Sequence, residues 1–94
     1  MDRITSKQLQ YFVDELNALT NSPMKPWIRE NDRNIGQIGN FHLYGAYGST
    51  ALHRTMNEGG GVNEVFGLST KRELYNKIRA MISGLQLANE LKGA

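Results

Sequence analysis

Ninety-four residues, 39% hydrophobic and 21% charged, suffice for one ordinary globular domain and exclude a disordered chain. The absence of cysteine excludes disulfide and thiolate chemistry and predicts a protein of the reducing cytosol. A formal charge of +2 is too small to argue for nucleic acid, and no apolar run reaches signal-peptide or membrane-spanning length, so neither secretion nor insertion is expected.

The spacing predicts a first helix over about residues 5–20. Thr5 or Ser6 can cap it, with Gln8 three residues after Thr5 as a capping box requires, and Ile4 and Leu9 are placed for a hydrophobic staple. Leu9, Phe12, Val13, Leu16 and Leu19 make one apolar face. Asn21-Ser22-Pro23 ends it, because proline disfavours helical geometry in the residue before it.

From about residue 26 to 66 the pattern is one of strands and turns. Trp27–Glu30 reads as a short edge segment and Asn31–Asn34 as a turn. Ile35–Tyr44 and Thr50–Met56 read as longer strands joined around Ala46-Tyr47-Gly48-Ser49, and Val62–Phe66 as a short last strand after Gly59-Gly60-Gly61. If His42 pairs with His53, Phe41, Leu43, Leu52 and Met56 share the face that the helices cover. Asn40, His42, Tyr44, His53 and Thr55 then share the opposite face, polar and aromatic.

A last helix is predicted over about residues 70–91, opened by the capping box of Thr70 and Glu73. Leu74, Ile78, Met81, Ile82, Leu85 and Ala88 form its apolar stripe, with Met81 and Leu85 expected in the core and Gly84 expected to let the helix approach the sheet closely. The fold expected is α+β: helix, three- to four-stranded antiparallel sheet, helix (α-β-β-β-α), both helices on one sheet face, in a single domain over residues 1–94.

No cysteine, His-Glu-x-x-His or Gly-x-Ser-x-Gly is present, and no phosphate-binding glycine motif, so the chain is expected to be neither an enzyme nor a cofactor carrier. His42 and His53, with Glu58 or Asp32, lack metal-ligand spacing and read as surface imidazoles rather than a metal site. The glycines of residues 36–67 read as turn residues. Arg54 falls on the apolar face, where an unpaired charge is costly; it is expected to reach Glu58 or Glu64 structurally, the alternative being to line a pocket with His42 and Tyr44.

Charge gathers at the end of the chain, where residues 70–94 carry five basic groups against Glu73 and Glu90. Lys71, Arg72, Tyr75, Asn76 and Arg79 share one surface at a helix N-terminus. That suits a phosphate backbone or an acidic protein patch as well as it suits a plain solvated face. The polar sheet face supplies a second candidate surface through Asn40, His42, Tyr44, Tyr47 and His53.

The string Gly39-Asn40-Phe41-His42-Leu43-Tyr44-Gly45-Ala46-Tyr47-Gly48 runs on through Leu52-His53-Arg54 and Met56-Asn57-Glu58-Gly59-Gly60-Gly61-Val62. With Lys71-Arg72-Glu73-Leu74-Tyr75 and Asn21-Ser22-Pro23, it resembles a family of short phage and prophage proteins of uncharacterised function, over most of residues 6–85. The resemblance implies a phage accessory protein acting in the cytosol of a bacterial host, and it supplies no catalytic residues. The element order also resembles that of double-stranded-RNA-binding domains, in topology alone. The function expected is therefore non-catalytic binding of a host macromolecule, for example a defence or regulatory protein. The alternative is a nucleic-acid or nucleotide binder using the basic helix start and the polar sheet face. The exposed sheet, with the Trp27 edge, is expected either to pair in a homodimer or to receive such a partner.

Overall fold

A computed structural model describes residues 3–93. Helix α1 spans Ser6–Leu19 and is capped as its sequence demands: Gln8 N–H donates to Thr5 Oγ1 at 3.1 Å while Thr5 N–H donates to Gln8 Oε1 at 2.8 Å. Asn21, in the left-handed region with φ +56°, turns the chain out of the helix. Strands β1 (Trp27–Glu30) and β2 (Arg33–Gly36) follow as one hairpin, then β3 (Phe41–Ala46), β4 (Ser49–Thr55), β5 (Val62–Ser69) and helix α2 (Lys71–Gly93). Thr70 and Glu73 cap α2 reciprocally, each backbone N–H reaching the other's side-chain oxygen at 3.1 Å.

The architecture is the α+β arrangement expected, with a division that the sequence conceals. Strands β3, β4 and β5 form an antiparallel meander, whereas β1 and β2 pair only with each other. The predicted strand Ile35–Tyr44 is broken at Gly39, whose φ of +95° carries the chain from the ribbon into the sheet. Between β4 and β5 the register slips near Leu52, leaving extra residues on β5. Such bulges twist an edge strand and blunt it against further pairing.

Both helices lie on one face of the meander and touch each other, α1 over β3 and α2 over β4 and β5. Leu9, Val13 and Leu16 of α1 meet Leu74, Ile78 and Ile82 of α2, with Phe41 and Leu52 of the sheet beneath them. Each such fully buried aliphatic side chain stabilises the fold by about 1.5–3 kcal/mol. Met81 and Leu85 are only half-buried, so the centre of the core lies one turn earlier on α2 than the stripe suggested. A Cβ on Gly84 would meet nothing, so this glycine does not mark a close approach to the sheet. Met56 lies beyond the end of β4, 54% exposed, and not on the covered face.

Asn17 joins helix to sheet. Its buried side chain donates from Nδ2 to the Phe41 carbonyl at 2.9 Å and accepts the Phe41 N–H at Oδ1 at 2.8 Å, as a neighbouring strand would. The ribbon is seated by glycines. Gly36 N–H donates to the Glu58 carbonyl at 2.7 Å, and Gly60, at φ +93°, lies against the Trp27 indole where a Cβ would collide. Asn57 Oδ1 accepts the Gly61 N–H at 2.8 Å and closes that loop. The triple glycine is thus a seat for the ribbon, in keeping with its reading as turn chemistry.

Candidate functional site

The pairing of His42 with His53 is the one expected, and it sorts the strands into the two faces anticipated for Phe41, Leu43 and Leu52 against His42, Tyr44 and His53. On the second face His42 and His53 are partly buried and Tyr44 is exposed. Tyr44, 48% exposed, lies flat on His53 with ring centres 4.7 Å apart and planes 12° apart. The two histidine rings stand edge to face at 5.9 Å. Burial and the neighbouring His53 push the His42 imidazole below its ordinary value, partly offset by hydrogen bonding to Asn40.

Asn40 does not belong on the exposed face. It is fully buried, its Nδ2 donating to the Pro23 carbonyl at 2.7 Å and its Oδ1 lying 3.1 Å from His42 Nδ1. A polar residue leading into a strand reads as exposed; the loop after α1 folds back and covers it. Arg54 reaches neither Glu58 nor Glu64 in an ion pair, nor does it join the histidine face. Its guanidinium lies 4.8 Å from the Phe41 ring centre, and Nε donates to the Gly39 carbonyl at 3.2 Å. The ring face and a carbonyl take the charge in place of a carboxylate.

Tyr47 is not on the sheet face either. It stands at the tip of the β3–β4 hairpin, 98% exposed. Ala46 pairs with Ser49, leaving Tyr47 and Gly48 as a two-residue turn with φ of +53° and +74°. Two positive φ values mark the type I′ turn, which favours asparagine, aspartate or glycine because a larger L side chain is strained there. A tyrosine in this conformation costs about 1–2 kcal/mol.

Lys71 lies beside that tip. An open groove of ≈ 430 Å³ runs between the turn residues Gly45–Thr50 and the first residues of both helices, Ser6 and Lys71. The helices therefore start at the same end of the molecule and run side by side. Further along α2, Tyr75 meets Phe12 edge-on at 5.4 Å, and Tyr11 meets Phe12 at 5.2 Å. Arg79 lies over both Phe12 and Tyr75, at 5.9 and 5.6 Å, and Arg72 lies 5.9 Å from the Tyr75 ring centre. Arg72, Tyr75 and Arg79 are thus brought together as expected. Phe12, read from the sequence as part of the apolar face of α1, joins this cluster, and its contact with Tyr75 and Arg79 escaped the sequence because it forms across two helices. Compared with protein-family models, with curated proteins and with solved structures, the chain matches none.

Proposed function

We propose that this chain is a small non-catalytic binding protein, a phage accessory protein on the resemblance above, that docks on a host protein through the β3–β4 hairpin and alters its activity. A defence or regulatory protein is the kind of target expected. One observation carries the reading: Tyr47 is at once almost wholly exposed and held in a backbone region that disfavours it. Neither feature helps the fold, since the ring buries nothing and the strain destabilises. Residues that break a local rule without structural return concentrate at functional positions. Tyrosine is also among the residue types that dominate binding energy at protein interfaces. Tyr44, on the strand that leads into the turn, adds a second exposed ring.

The test uses Tyr47→Asn, which suits the turn and removes the ring. Captured from host lysate on immobilised protein, the partner should be retained by the parent and lost by the variant, whose melting temperature should not fall. Equal retention by both would refute the hairpin as the docking element.

Lys71 in the groove beside the hairpin favours nucleic acid as the second reading. Each phosphate neutralised would lower log affinity against log salt by a slope of roughly 0.7–0.9. Removing Lys71 and Arg79 should then flatten that slope by about two contacts. No binding of duplex or single-stranded RNA or DNA at low salt would leave the protein partner alone.

A further inference from the structure

The open sheet face holds an arrangement that docking through Tyr47 does not require. His42 and His53 are directly opposite each other on β3 and β4, with ring centres 5.9 Å apart and planes at 78°. A metal ligated by two imidazoles lies about 2.0–2.1 Å from each nitrogen, hence about 3 Å from each ring centre, which sets the centres about 5–6 Å apart. The ring centres stand at that separation, and turning one ring out of the edge-to-face arrangement would aim both lone pairs at one point.

Asn40 supplies the second observation. With Nδ2 committed to the Pro23 carbonyl, its Oδ1 is the acceptor, so the group facing it at 3.1 Å is His42 Nδ1–H. That contact fixes the tautomer and leaves the lone pair on Nε2. A carbonyl oxygen holding the far N–H of an imidazole is the recurrent outer support of metal-bound histidines. His53, on β4, is packed flat by Tyr44 of β3. Glu64, paired with His53 across β5, leans over Gly67 instead, and among the described residues no third His, Cys, Asp or Glu completes a ligand set.

We propose that His42 and His53 form a two-histidine site for a borderline transition metal, Zn²⁺, Ni²⁺ or Cu²⁺, with Asn40 as the positioning residue and the remaining coordination positions taken by water or a partner's donor. Imidazole suits these ions, whereas Mg²⁺ and Ca²⁺ require oxygen ligands. The site stands independently of whether Tyr47 anchors a partner.

The experiment titrates the protein with Zn²⁺ and with Ni²⁺, following heat and the histidine ring resonances, with Mg²⁺ in parallel. One equivalent of each transition metal should bind and move both ring signals (paramagnetically broadening them with Ni²⁺), and Mg²⁺ should move neither. His42→Ala and His53→Ala should each weaken binding by at least about tenfold, since even loss of an outer-sphere partner costs that much. The parent's ring signals decide the question even where a variant fails to fold. No response at millimolar metal, a response of one histidine alone, or undiminished binding by the folded double variant overturns the site.

Discussion

The β1–β2 and β3–β4 hairpins turn through the same geometry with opposite chemistry. At the ribbon tip Asn31 and Asp32 adopt φ of +50° and +61°, and short polar side chains of this kind tolerate the left-handed region. At the tip of the sheet hairpin Tyr47 and Gly48 adopt +53° and +74°, and only the glycine is at ease there. Their anchorage differs as well. The sheet hairpin is built into the core through Phe41 and Leu52, whereas the ribbon is held by hydrogen bonds and by Trp27 on Gly60. A strained residue persists where the surroundings over-determine its conformation, so the hairpin with the core beneath it is the one able to carry the tyrosine.

The largest expected contrast lies in that anchorage. Leu52→Ala should destabilise the protein by about 2–5 kcal/mol, as removal of a fully buried leucine does. Ile28→Ala in the half-exposed ribbon should cost less than about 1 kcal/mol. Denaturant midpoints compare the two, and equal losses would show the ribbon to be as deeply integrated as the sheet.

Next in size is the seat itself. Gly60→Ala places a Cβ against the Trp27 indole at a φ of +93°, and should cost about 1–3 kcal/mol or release the ribbon. Trp27 fluorescence should shift on this substitution while the far-ultraviolet signature of the helices persists. An unchanged emission spectrum would mean that the indole does not rest there.

Exchanging the turn residues sharpens the comparison directly. Tyr47→Asn should stabilise the protein by about 1 kcal/mol, and Asn31→Tyr should destabilise it by a similar amount. Opposite shifts in melting temperature check this. A loss on Tyr47→Asn would show that the ring contributes to the fold, and the functional reading would fall with it.

The smallest effect separates α2, beneath the sheet, from the ribbon by pH. Hydrogen bonds from Thr70, first its backbone N–H and then its side chain, hold the Glu73 carboxyl below the ordinary glutamate range. A depressed carboxyl stabilises above its unfolded-state value, and the contribution disappears as pH falls through the folded value. Glu73→Gln should therefore melt slightly below the parent at neutral pH and converge with it in acid. The ribbon's Arg29–Asp32 pair, 3.9 Å apart and exposed, contributes little, so Asp32→Asn should track the parent throughout.

Much of the framework was legible in the chain. Both capping boxes, the apolar stripes of the helices, the limits of Trp27–Glu30 and the opposition of His42 and His53 depend on residues near each other in sequence or on alternation along a strand. Local geometry decides such features, so a one-dimensional pattern carries them. Other features needed the packed molecule. Asn40 and Asn17 are polar residues whose burial depends on which carbonyls the fold brings to them. Arg54 finds Phe41 in place of a carboxylate, Gly36 and Gly60 seat a ribbon whose sequence reads as more of the same sheet, and Phe12 meets Tyr75 and Arg79 across two helices. These contacts join residues far apart along the chain, and their partners are chosen by the shape and satisfied polarity of the assembled core, which no local pattern encodes.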